Sequence, residues 1–170
     1  MSRFTKISLF AAILLLAYGY LARILNIYFF WEAKTLAWIF LLLPLLGHLV
    51  SVIRLRRMKG RKTIWPKLGA GFLILALIAA SMAIFMLNTS DAYFEATEFL
   101  KTDPGIKNEV GGIRGFGLIT TGTVSTTSIN GEESGSAKLN IIVRGTKKYR
   151  DITVSLEKTQ ETGWRVLSIK

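Results

Sequence analysis

Few side chains in this 170-residue chain have the types and spacing that chemistry needs. There is no cysteine, which excludes a disulfide scaffold, a thiolate zinc finger and a thiol nucleophile. The single histidine, His48, follows Pro44 and Gly47 in an apolar stretch. An imidazole there could ligate haem or relay protons. A bis-histidine haem would need its second imidazole from another chain; a helix-contact or interfacial histidine is the plainer reading. Met82 and Met86 lie four apart, but copper(I) wants more soft ligands with Cys or His beside them, so packing or lipid contact is favoured. Asp91, Glu95 and Glu98 could share a helix face and hold a cation, against the simpler reading of a solvated face. Glu132-Glu133 falls at a hairpin tip and is expected in water. Gly111–Gly117 (GGIRGFG) is glycine-rich, yet it precedes a strand instead of opening a helix, which argues against a phosphate cradle. Serines beyond residue 90 have no imidazole base within their own segment. No catalytic residue, cofactor-binding residue or metal ligand is assigned, and the expectation is a protein that is not an enzyme and carries no cofactor.

The elements that would position these groups divide in two. The chain is 51% hydrophobic with a mean hydropathy of +0.40 and a net charge of +11. Residues 1–90 hold eleven basic residues and one acid, Glu32, and carry +10; residues 91–170 carry +1. An excess of positive charge confined to the apolar half fits a membrane anchor with a polarised topology, not a nucleic-acid binder. Ile7–Ala22, Thr35–Ile53 and Leu68–Leu87 are charge-free runs of 16, 19 and 20 residues. A helix needs about 20 apolar residues to cross the hydrocarbon core. The second and third runs meet this directly. The first does so if Arg23 snorkels to the interface, flanked by Tyr18, Tyr20, Tyr28 and Trp31. Helices are therefore expected near 7–31, 35–53 and 68–87. A cleaved signal peptide is the rival reading of residues 1–22, and the apolar character running on to Trp31 favours a retained anchor. Small residues four apart, Ala76/Ala80 and Ala79/Ala83, permit close helix contact on the third run.

The basic residues set an expected orientation. Arg3 and Lys6 precede the first run, the first connection is neutral, and Arg54–Lys67 holds seven basic residues and no acid. The positive-inside rule then places the N-terminus and the 54–67 loop in the cytoplasm, with residues 91–170 outside. The expected location is the inner (cytoplasmic) membrane with a periplasmic C-terminal domain. The basic loop is read first as a topology determinant that also meets anionic lipid headgroups, with no nucleic acid as partner.

Residues 91–170 read as a small α+β domain. Asn88-Thr89-Ser90-Asp91 offers cap candidates, and Ala92, Ala96, Phe99 and Leu100 make one apolar helix face. Asp103-Pro104 restarts a helix that Gly111-Gly112 ends. The period then changes to two. Gly115–Thr127 reads as one strand or a bulged pair, Asn130–Gly135 as a hairpin loop, and Ala137, Leu139, Ile141 and Val143 as one inward face. Gly145–Lys148 turns the chain, Ile152, Val154 and Leu156 alternate next, Glu161-Thr162-Gly163 turns again, and Trp164–Ile169 closes the sheet. The fold expected overall is a membrane protein of three transmembrane α-helices followed by two short helices on an antiparallel meander of about four strands. Without cysteine, the domain must be held by its core alone.

Phe99-Leu100-Lys101, Asp103-Pro104, Ile106, Val110-Gly111, Ala137-x-Leu139, Val143-x-Gly145-x-Lys147 and Trp164-x-Val166 together resemble the cytochrome oxidase complex assembly protein 1 family, related to the intermembrane-space domain of a mitochondrial presequence-translocase subunit. The resemblance covers about residues 91–170 and carries no catalytic residue. It implies a membrane-anchored module that assembles respiratory oxidase or docks on membrane complexes, with oxidase subunits among its membrane protein partners. The mitochondrial members are single-span, so three apolar runs imply a bacterial relative. An extracytoplasmic sensor or ligand-binding module is the alternative.

Overall fold

The structure, a computed structural model, describes residues 3–129, 132–160 and 162–170. The chain divides into two compact units, Met1–Met82 and Ala83–Lys170.

The first unit is helical. α1 spans Arg3–Ile24, α2 Ala33–Phe40, α3 Leu42–Met58, and α4 Ile64–Asn88, whose last turns belong to the second unit. Three helical stretches, Arg3–Ile24, Ala33–Met58 and Ile64–Asn88, are long and apolar enough to cross a membrane. Their ends differ from the charge-free runs for physical reasons. The first helix does not continue to Trp31. Asn26 adopts a left-handed φ of 52°, and the Ile27 amide returns to the Ala22 carbonyl at 2.8 Å. This is the Schellman ending, which Asn tolerates better than most residues. The second run is broken between α2 and α3 because Pro44 has no amide to give the Phe40 carbonyl and its ring crowds that group. α3 then runs past Ile53 through Arg54, Arg56 and Arg57, ending where Gly60 takes φ 64° and the Arg61 amide reaches the Arg56 carbonyl at 2.9 Å. Loss of apolar character ends a span, not a helix.

α1 packs antiparallel to α2 and α3. A Cβ on Gly19 would lie 2.6 Å from the Lys34 amide nitrogen, and one on Gly47 would lie 2.9 Å from Thr5 Oγ1 and 3.0 Å from the Phe4 ring. Both glycines are needed for that closeness. The buried seam consists of small residues: Thr5, Ser8, Ala12, Gly19 and Ala22 of α1 against Ala33, Ala37, Pro44 and Gly47.

The second unit is a five-stranded antiparallel sheet with two helices. α5 spans Asp91–Thr102 and α6 Pro104–Val110; the strands are β1 Ile113–Phe116, β2 Thr121–Ile129, β3 Glu132–Gly145, β4 Tyr149–Thr159 and β5 Gly163–Ile169. β1 and β2 both pair with β3, in the order β1-β3-β4-β5 with β2 beside β3 on the same edge as β1 would extend. Gly115–Thr127 is thus two strands separated at residues 117–120. The expected hairpin loop at 130–135 and the turn at 161–163 fall partly outside the described residues; Ser134 and Gly135 already lie in β3, and Gly163 opens β5.

The caps follow from side-chain oxygens. Ser90 caps α5 by accepting from the Tyr93 amide at 3.2 Å, and Asp103 caps α6 by accepting from the Ile106 amide at 2.8 Å. Gly111 ends α6 with φ 80°. The core joins Ala92, Ala96 and Leu100 of α5 and Ile106 and Val110 of α6 to Leu139, Ile141, Val143, Ile152, Val154 and Leu156 of the sheet. Phe99, placed on that face by its spacing, is half-buried.

Candidate functional site

In the helical unit, two ends of the α1–α3 hairpin differ in chemistry. At one end the chain leaves α1 through an aromatic loop organised by Arg23. Its Nη1 donates to the carbonyls of Gly19 and Trp31, each at 3.0 Å, and its guanidinium lies 5.1 Å from the Trp31 ring centre. Trp31 Nε1 donates to the Ile27 carbonyl at 2.8 Å, and the Tyr18 hydroxyl to the Phe29 carbonyl at 2.7 Å. Lys34 Nζ sits 5.0 Å above the Tyr20 ring. Glu32 is buried beside this loop. Two carbonyls and an aromatic face thus take up part of the Arg23 charge, which lets it sit among apolar neighbours. This arrangement goes beyond the snorkelling expected from sequence; the alternation of Tyr and Trp around Arg23 was its only signal.

At the other end, antiparallel packing brings the start of α1, with Arg3 and Lys6, to the end of α3, with Arg54, Arg56 and Arg57. Between them lies a groove of about 530 Å³ lined by Phe4, Leu46, Val50, Ser51, Arg54 and Met58 among others. His48 is exposed on α3 and does not line this groove. Met82 and Met86 are exposed on α4, as are Ala79 and Ala83, while Ala76 and Ala80 are half-buried.

In the second unit, the last turn of α4 is clasped to the connection between β1 and β2. Asn88 Nδ2 donates to the Leu118 carbonyl at 2.7 Å, and its Oδ1 accepts from the Thr120 amide at 3.3 Å. Tyr93 faces the buried Thr120 hydroxyl, which meets no described residue at full hydrogen-bonding geometry but lies close enough to Tyr93 to act on its phenol. Burial pushes the Tyr93 phenol up, offset in part by Thr120 and by Lys101.

The acidic candidates stay apart in role. Asp91 and Glu95 are exposed, and Glu98 pairs with Lys101 at 2.8 Å. Among the described residues no group of three His, Cys, Asp or Glu is placed to hold a metal. Glu133 pairs with Lys158 across the β3–β4 ladder, and that bond holds its carboxyl below the usual range. The glycine-rich stretch 111–117 spans the end of α6 and β1, away from any helix start. Its first residues meet the β3–β4 turn: the Lys147 amide donates to the Val110 carbonyl and the Thr146 amide to the Gly112 carbonyl, both at 2.9 Å. Glu109 extends this corner by pairing with Lys148 at 2.7 Å and with Arg150. A groove of about 450 Å³ opens where α5 begins, lined by Ser90, Asp91, Thr126, Ser128, Lys158 and Trp164 among others.

Neither unit shows a nucleophile–base pair among the residues named above; the geometry offers surfaces, caps and grooves. No protein family, no curated protein and no solved structure matches this chain.

Proposed function

We propose that this chain is a non-enzymatic, membrane-anchored assembly or interaction factor for a respiratory membrane complex, with cytochrome oxidase as the leading client. The observation that carries the reading is the order of the second unit, in which residues behind the family resemblance hold a helix cap, a turn contact and part of the core. Asp103 caps α6, Val110 and Gly112 receive the Thr146-Lys147 turn, and Leu100 and Leu139 lie in one core. The three apolar helices supply the anchor, and the small-residue seam between α1 and the α2–α3 stretch leaves the large apolar side chains outward, as lipid-facing helices require.

In this reading the anchor crosses the inner membrane three times. The end that gathers Arg3, Lys6 and the 54–67 loop lies in the cytoplasm, and the sheet unit lies in the periplasm. The helices contact membrane protein partners laterally. Alkaline phosphatase fused after residue 170 should be active, and fused within 59–62 inactive; the opposite pattern overturns the orientation. Detergent pull-down of the tagged chain with quantitative mass spectrometry should enrich oxidase subunits. No enrichment, with unaltered oxidase activity in a deletion strain, overturns the assembly reading.

The groove at the start of α5 favours a second reading, a sensor or ligand-binding module. Its volume falls within the range of small-molecule sites, and Trp164 offers an aromatic face beside Asp91 and Lys158. A thermal shift of the full chain with quinone or haem that Trp164→Ala abolishes would favour it.

A further inference from the structure

We infer that the groove between α1 and α3 binds one anionic phospholipid, with an acyl chain along Phe4, Val50, Leu55 and Met58 and the phosphate on the Arg54 guanidinium. The inference rests on the membrane-spanning reading and adds a defined lipid site to it. The lining is apolar apart from two residues. One of them, Ser51, is occupied: its hydroxyl donates to the Gly47 carbonyl at 2.8 Å. The other, Arg54, is the only charged residue among the described lining residues and is exposed. From Leu46 to Met58 the groove follows α3 for roughly 18 Å at the helical rise. That length suits an extended chain better than a compact solute.

Charge selects the headgroup. Arg54 opens a segment of seven basic residues with no acid, and the start of α1 adds Arg3 and Lys6 at the same end. The single acid of residues 1–90, Glu32, is buried next to α2, at the opposite end of the hairpin. The helical unit's own sequence offers no carboxylate at the basic end, so an anionic lipid fits where a zwitterionic one gains less. Gly47 shapes the site as well. Its missing side chain lets Phe4 approach α3 and form one wall of the groove.

The test uses the full chain in dodecyl maltoside, titrated with phosphatidylglycerol or phosphatidylcholine and read by native mass spectrometry. One phosphatidylglycerol should be retained at about fivefold lower concentration than phosphatidylcholine. Arg54→Gln should remove that preference. Val50→Phe, at a side chain already exposed, fills the groove without altering charge and should weaken both lipids about tenfold. Lys62→Gln, in the same loop but outside the groove, should leave both values unchanged. If Val50→Phe binds as the unsubstituted chain does, attraction to the loop is general and the site is overturned. Displacement by soluble glycerol 3-phosphate as effective as by the lipid overturns it too, since phosphate alone would then suffice. A chain recovered in the aqueous fraction without detergent overturns the spanning reading first, a failure distinct from loss of lipid by a membrane-bound chain.

Discussion

The two units bury opposite kinds of side chain. In the sheet unit, Leu100, Leu139, Ile141, Ile152 and Leu156 are inside and the charged residues outside. In the helical unit the hidden residues are mostly small, alanine, glycine, proline, Thr5 and Ser8, with Trp31, Glu32 and Leu73 as the larger ones, while Phe10, Phe72 and Trp65 stand out, Trp65 at 81% exposure. A packed core gains stability by removing large apolar surface from water, about 25 cal/mol per Å². A helix pair in lipid gains nothing from that term and must instead gain from close backbone approach. The contrast is the one that two different solvents would select. It supports the anchored reading more directly than hydropathy does, because it concerns which residues are hidden and not how many are apolar.

The largest expected effect tests this contrast with one substitution made twice. Leu139→Ala removes a side chain that is 0% exposed in the sheet core and should cost about 2–5 kcal/mol. Leu75→Ala, at a side chain 64% exposed on α4, should cost under about 0.5 kcal/mol. Hydrogen exchange of the full chain in detergent, followed separately over residues 91–170 and 64–82, reads both. Equal costs would break the comparison, since α4 would then be buried against something as tightly as the sheet is against its helices.

A second substitution should hurt the helical unit by addition. Gly19→Leu forces a side chain into the Lys34 backbone, where a Cβ would already sit 2.6 Å from the amide nitrogen. Overpacking of this kind costs about 1–3 kcal/mol. Thermal loss of far-UV helicity in detergent should come earlier for Gly19→Leu than for Gly71→Leu, where nothing lies within 4 Å. The same melting temperature for both would sink the claim that the seam depends on missing side chains.

How much of this was legible in the sequence depends on the range of the interaction. Local signals carried well. Ser90 lay among four cap candidates, Asp103-Pro104 marked the start of α6, Gly111 its end, and the alternation through Ala137–Val143 gave the buried face of β3. Helix ends in the apolar half carried poorly, because charge-free length reports the hydrocarbon slab and not backbone hydrogen bonding. Asn26 and Gly60 were the available stop signals: one lay inside an apolar run and the other inside a basic one, and hydropathy reads neither. The candidate sites were least legible. The groove beside Phe4 exists because residue 4 meets residue 47, and the Asn88 clasp because residue 88 meets residues 118 and 120. Such pairings depend on register between distant segments, which no local pattern contains.

The smallest effect separates the units by their response to acid. The sheet unit pairs its charges across strands and turns, at Glu109 with Lys148 and Arg150 and at Glu133 with Lys158. The basic end of the helical unit has Arg54, Arg56 and Arg57 and no carboxylate in its sequence to pair with them. The hydrogen bond from Lys158, and then its charge, hold the Glu133 carboxyl below its usual range. A carboxyl whose value is lower folded than unfolded stabilises the fold above the ordinary glutamate value. That contribution is lost as the pH falls through the depressed one. The pair is exposed, so the gain is small and screened by salt. An NMR titration of the Glu133 carboxyl in the full chain should show a midpoint below the usual glutamate range, and Lys158→Met should return it there. The midpoint should also rise towards that range at 0.5 M salt, roughly half a nanometre of screening length. A midpoint unmoved by Lys158→Met would show that the pair does not control the titration.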